Sequence, residues 1–237
     1  MSGELTVLLV TAASIGFLHT LLGPDHYIPF IAMAKSARWS NRKTGLITIL
    51  CGVGHVLGSV VLGLVGIAFG LAVAGLESIE SVRGGIAAWA LIAFGLVYFV
   101  WGLRRALRKV PHTHSHLHLG GVVHSHEHAH FQEHTHAHET SSTRTLTPWI
   151  LFTIFVLGPC EPLIPLLIYP AAEGGFFDVA AVAVVFGTTT ILTMLTVVML
   201  AVRGVEFLPA RAMERYVHAL AGLAILLCGV AVEFLGL

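Results

Sequence analysis

The chain reads as an all-α polytopic membrane protein of six transmembrane helices, a 3+3 inverted-topology repeat in which the first and fourth helices are broken. Three observations carry that expectation. Hydrophobic residues fill 56% of the 237 positions, charged residues only 11%, and mean hydropathy is +0.85, a composition outside the range of soluble domains. Six largely apolar windows of spanning length follow one another, and only helices satisfy their own backbone groups in hydrocarbon. Two polar tetrads, Gly23-Pro24-Asp25-His26 and Gly158-Pro159-Cys160-Glu161, each preceded by leucine, interrupt the first and fourth windows 135 positions apart.

The first window, 5–33, lacks a basic leading segment and a small-residue cleavage site, so it reads as a helix of the mature protein. Pro24 donates no backbone hydrogen bond and crowds the carbonyl four residues back, so the helix is expected to kink or unwind around Thr20–Pro24. The second window, 44–74, carries Cys51 and His55 one turn apart, with Gly54, Gly58, Gly66 and Gly70 spaced for close helix approach. The third, 84–103, runs out into Trp101 and a basic cluster, as an interfacial end does. Trp149 opens the fourth, 146–172, where Pro162 and Pro165 add distortion after the tetrad. In the fifth, 178–202, Thr188, Thr189, Thr190, Thr193 and Thr196 are expected mostly to bond their own helix or a neighbour. His218 and Glu233 fall near the two ends of the sixth, 213–236, at interfacial depth.

Loop charge fixes the expected orientation. Twelve of the thirteen basic residues lie after the first window, between the third and fourth, and between the fifth and sixth; Arg83 alone lies on the other side, with Glu4, Glu77, Glu80, Glu173 and Asp178. The positive-inside rule then puts both termini outside the cytoplasm. Basic and acidic residues balance at thirteen each, which gives no reason to expect a nucleic-acid partner. Three cysteines, all in apolar windows, do not make a disulfide framework, and two of them are expected only to pack.

Residues 1–110 form the expected first repeat and 146–237 the second, joined by a segment, 111–145, that cannot build a core. That joining segment holds His112, His114, His116, His118, His124, His126, His128, His130, His134, His136 and His138. Clustered imidazoles suit zinc, copper and nickel, so a disordered cytoplasmic loop with secondary metal sites is expected. A shift of 135 brings Gly23-Pro24 onto Gly158-Pro159 and Gly52 onto Gly187 without a gap. Three helices per half make the second copy cross in the opposite sense, an arrangement that places sites at midplane helix breaks.

Ionisable groups at membrane depth are functional candidates by default. His19 and His26 are seven apart with Asp25 adjacent, so a regular helix would show both from one face; His55 lies on the next helix, and Cys160 and Glu161 stand opposite Asp25 and His26 in the shifted alignment. Together His19, Asp25, His26, His55, Cys160 and Glu161 offer a mixed nitrogen, oxygen and sulfur shell suited to a first-row divalent ion. Cys51 is the weaker candidate, since buried cysteine is usually inert packing.

His19-x5-Asp25-His26 resembles the His-x4-Asp-His signature of the nickel/cobalt transporter family, with one more residue in the spacer. Gly54-His55 resembles that family's Gly-His motif, and Leu157-Gly158-Pro159-Cys160-Glu161-Pro162 is similar to a motif of nickel/cobalt efflux permeases, as is the histidine-rich loop. Urease-accessory-like and sulfite-exporter-like membrane proteins are related. The resemblance implies transport of Ni2+ or Co2+ as substrate across a bacterial cytoplasmic membrane, with no tightly bound cofactor and with Zn2+ as a further ligand of the loop. It also implies the lipid bilayer as surroundings and leaves a homo-oligomer or a metallochaperone open as partners. No nucleotide-binding motif is present, and an enzymatic role is not expected. More distantly, the chain resembles membrane reductant conductors related to cytochrome c biogenesis proteins, which carry a cysteine at both Gly-Pro sites; here Asp25 takes the first. That resemblance implies thiol exchange at Cys160. A third reading is a metal-binding accessory or sensor protein without transport.

Overall fold

A computed structural model describes residues 3–70, 73–107, 112–117, 123–128, 143–160, 162–173, 175–206 and 214–236, with only the backbone at 73–74, 112–117, 123–128, 143–146 and 206. The first span is two helices, α1 (Gly3–Leu22) and α2 (Ile28–Ser36), joined by a 3-10 turn at Pro24–His26. This is where the proline predicts a break. Ser40 caps the next helix, α3 (Asn41–Ala68), accepting from the Lys43 amide. Beyond α3, Gly70 adopts φ +61° and its amide bonds back to Ile67, the left-handed stop that glycine permits. Gly70 therefore ends a helix and, with nothing near its Cβ position, makes no close helix contact; the small-residue reading holds for Gly54, Gly58 and Gly66, which abut Val156, Arg83 and Leu76.

Helix α4 (Val73–Leu107) begins eleven positions before the third apolar window, taking in Glu77, Glu80 and Arg83. A helix tolerates this polar start because Arg83 Nη1 donates to Glu80 Oε1 at 2.6 Å, one turn away. Strands β1 (His112–Leu117) and β2 (Val123–His128) then pair antiparallel, His112 opposite His128, His114 opposite His126 and His116 opposite His124. His-x-His alternation is a period-two pattern, which a two-stranded ribbon accommodates. The predicted loop residues His118, His130, His134, His136 and His138 lie outside the described residues.

Four more helices follow the strands. Helices α5 (Thr143–Leu157) and α6 (Leu163–Ala172) flank the second Gly-Pro break, followed by α7 (Phe176–Glu206) and α8 (Val217–Leu235). Among the described residues five helices are long and apolar enough to cross a membrane, α5 and α6 being shorter apolar pieces. Exposed leucines, valines and phenylalanines cover the outer faces of these helices, as lipid-facing surfaces require.

Packing places α4 against α8, α1 and α3 against α7, and α3 against α5. Small residues set the closest approaches. A Cβ on Gly95 would collide with the Leu226 backbone, and one on Gly222 with the Phe99 backbone; Gly102 meets Ala219 in the same way, and Gly229 meets Ile92. Between α3 and α7, Gly52 faces Ile191 and Gly187 faces Val56. Three apolar clusters fill the interior, one around Phe186 and Leu163, one around Met33 and Ile225, and one around Phe30 and Met194.

Candidate functional site

In a regular helix seven residues span about 10 Å of rise, yet the His19 and His26 ring centroids are 4.8 Å apart. The break brings them together. Gly23 makes this fold-back feasible, for a Cβ there would lie 2.6 Å from His26 Nδ1 and 2.8 Å from Asp25 Oδ1. His26 Nδ1 sits 2.9 Å from Asp25 Oδ1 and 3.2 Å from the Gly23 carbonyl. Both neighbours accept, so Nδ1 carries a hydrogen, and in the neutral ring Nε2 then presents a lone pair.

At the second break the carbonyls released from α5 find donors on two other helices. His55 Nδ1 on α3 donates to Phe155 O at 3.3 Å. Arg83 Nη2 on α4 donates to Val156 O at 3.0 Å and to Gly158 O at 3.1 Å. A cation at a helix C-terminus also offsets the partial negative charge there. Gly158 leaves room for the imidazole, since its Cβ would be 3.2 Å from His55 Nδ1, and Pro159 seats on Gly84 of α4.

The two breaks meet at three histidines. One ring nitrogen from each of His19, His26 and His55 lies within 4.8 Å of the others, and the His26 and His55 centroids are 5.1 Å apart. His26 and His55 are buried, His19 half-buried. The Nε2 atoms of all three are shielded from solvent and have no hydrogen-bond partner. A cavity of about 20 Å³ touches Asp25, His55, Gly158 and Pro159, room for one water-sized species.

Of the six residues expected in one shell, the structure thus gathers the three histidines, with Asp25 behind His26. Cys160 is fully buried among Leu163, Leu167, Val182 and Phe186 and is not part of the histidine group. Glu161 lies outside the described residues. Cys51 packs beside Phe30 and Met194, and Cys228 beside Met33 and Ile225, so the three free thiols occupy three different clusters. In α7, Thr193 bonds its own helix at Thr189 O, as expected of the threonines. His218 bonds Tyr98 and Glu233 bonds Trp89, each holding α8 to α4 rather than entering the site.

The cytochrome c biogenesis protein transmembrane region, as a family, matches residues 28–231. The chain belongs to this family. No curated protein and no solved structure matches the chain. The family match overturns the nickel/cobalt transporter resemblance, and transport of Ni2+ or Co2+ falls with it. The motifs that suggested it were short, whereas the match extends across both halves and all the helices from α2 to α8. The integral-membrane character stands.

Sequence reasoning missed Arg83 and Glu80. It placed them in a loop outside the third window, while the structure buries Glu80 inside α4 and turns Arg83 onto the second break. Their i, i+3 spacing just before Gly84 was the available signal.

Proposed function

We propose that the protein is a thiol-redox membrane component of the cytochrome c biogenesis type, acting through Cys160 as a single exchanging thiol. The observation that carries this reading is the family match over residues 28–231, with a cysteine at the Gly-Pro break where two interrupted half-helices meet. Cys51 and Cys228 pack in other clusters, so the partner sulfur comes from outside the chain, from a soluble dithiol protein. Cys160 as thiolate attacks one sulfur of the partner's disulfide; that S–S bond breaks, a mixed disulfide forms, and the partner's second sulfur leaves as thiolate. A thiolate of the next protein then attacks the partner's sulfur in the mixed disulfide, returning Cys160 as thiolate. Because Cys160 is fully buried, exchange requires the break to open, and hinges at helix interruptions suit such movement.

The site sits between two antiparallel halves, on this reading, and six crossings place both termini outside the cytoplasm of a bacterial cytoplasmic membrane. Reciprocal glycine contacts support the repeat. Gly52 faces Ile191, four residues after Gly187, and Gly187 faces Val56, four after Gly52. Likewise Gly95 meets Leu226, four after Gly222, and Gly222 meets Phe99, four after Gly95. Such exchange of partners is what a pseudo-twofold axis in the membrane plane produces.

The test is trapping. Purified protein in lipid nanodiscs is mixed with an oxidised thioredoxin-like protein lacking its resolving cysteine and carrying an activated disulfide. A covalent adduct mapped by mass spectrometry to Cys160, lost in Cys160→Ser and kept in Cys51→Ser and Cys228→Ser, is the expected result. No adduct, or one indifferent to Cys160→Ser, refutes the reading.

A further inference from the structure

We infer that His19, His26 and His55 bind one monovalent copper ion through their Nε2 atoms, a resident site separate from the Cys160 thiol. The first ground is the set of orphaned atoms. Buried polar groups are almost always partnered, yet His19 of α1, His26 of the 3-10 turn and His55 of α3, whose rings gather within 4.8 Å nitrogen to nitrogen, each leave a buried Nε2 with no partner. A metal ion satisfies three such lone pairs at once.

The second ground is what holds the other edge of each ring. Metal-binding histidines characteristically give their second ring N–H to a carboxylate or a backbone carbonyl, which fixes the tautomer and aims the ligand nitrogen. His26 does both, toward Asp25 and Gly23, and His55 does so toward Phe155. Both Gly-Pro breaks thereby serve the rings, since Gly23 and Gly158 each leave the space that Nδ1 occupies. Trigonal bonds of about 2 Å place ligand nitrogens about 3.5 Å apart, so side-chain rotation of about 1 Å closes the observed group on an ion.

The third ground selects the ion by charge and ligand type. Among the groups around the site, Asp25 contributes one negative charge, Glu80 and Arg83 offset each other in a 2.6 Å ion pair, and histidines that give a lone pair to a metal are neutral rings. A buried site disfavours uncompensated charge. One positive charge balances Asp25, whereas a divalent ion leaves an excess. Imidazole is a good copper ligand, and the group offers three ring nitrogens where hard cations need a shell of oxygens.

The experiment uses the full-length chain with its eleven loop histidines, His112 to His138, replaced by serine so that they do not compete. Protein in nanodiscs is loaded with Cu(I) under ascorbate and titrated with a Cu(I)-specific chelator, and the bound ion is examined by X-ray absorption. One Cu(I) per chain with three nitrogen neighbours near 2 Å and no sulfur is expected, lost in His55→Ala. Asp25→Asn keeps all three ligands but removes the balancing charge and leaves His26 Nδ1 a weaker, neutral acceptor; a 10–100-fold weaker Cu(I) affinity is expected, with a thermal melt confirming that this variant is folded. Retention of copper in the His55→Ala variant, a sulfur neighbour that disappears in Cys160→Ser, or Zn2+ held more tightly than Cu(I) each overturns the assignment. Cys160→Ser is expected to keep the copper while losing the mixed disulfide, so this inference and the thiol reading fail independently.

Discussion

Arg83 is the residue on which both the second break and a buried carboxylate depend. Its guanidinium neutralises Glu80 through Nη1 and ties down two carbonyls of α5 through Nη2, so one side chain links α4 to the segment that carries Cys160. Removing one partner of a buried ion pair costs about 3–5 kcal/mol; Arg83 retains 17% exposure, which points to roughly the lower limit of that range. Arg83→Met is therefore expected to destabilise by about 3 kcal/mol, and Arg83→Met with Glu80→Met to recover part of the loss, read as chemical unfolding midpoints in a double-mutant cycle. A double variant that loses the sum of what Arg83→Met and Glu80→Met lose separately would show that the pair contributes nothing as a pair. At this scale the sequence announced His19, Asp25, His26 and His55, because ionisable side chains in apolar windows stand out. It hid Arg83 because the charged start of α4 resembles a loop: nothing local says that a carbonyl 73 residues away awaits a donor.

Among the elements, the α4–α8 contact is the tightest helix pair and is made by glycine. A methyl group on Gly222 would run into the Phe99 backbone, and backbone cannot rotate aside as a side chain does. Gly222→Ala is expected to cost at least 1–3 kcal/mol by overpacking. Gly75→Ala, in the same helix pair but with nothing within 4 Å of its Cβ position, is expected to be neutral or to stabilise by about 0.5–1 kcal/mol through helix propensity. Thermal midpoints in the same detergent compare the two; similar shifts would mean that the close approach is not maintained in the protein. The helix breaks themselves were readable, since a proline after a glycine in an apolar run interrupts a helix whatever surrounds it. The ends of α3 and α4 were not, because Gly70 acts as a stop only through its left-handed backbone, and the polar turn of α4 is stabilised by contacts made across the bundle. In the histidine-rich segment, alternating His and small polar residues satisfy a strand's period as well as they satisfy a loop's polarity.

For the whole molecule, the breaks decide how many times the chain crosses the bilayer. Among the described residues five helices are long enough to span alone; counted by themselves they put the two termini on opposite sides. If α1 with α2, and α5 with α6, each make one interrupted crossing, the count becomes six and both termini share a side. Burial argues for the second arrangement, because α6 packs on α7 and α3 and contributes Leu163, Ile164 and Leu167 to the fully buried interior, where a surface-lying helix would keep one face in water. The basic residues agree, since twelve of thirteen then fall on one face. A cysteine introduced at Gly3, at Ser40 or at Gly236 in a Cys51→Ser, Cys160→Ser, Cys228→Ser background distinguishes the two counts in intact cells. A membrane-impermeant maleimide is expected to label Gly3→Cys and Gly236→Cys from outside and to reach Ser40→Cys only after the cells are opened. Labelling of one terminus alone from outside gives an odd count, and with it the antiparallel halves that bring Asp25 and Cys160 to corresponding breaks would have to be abandoned.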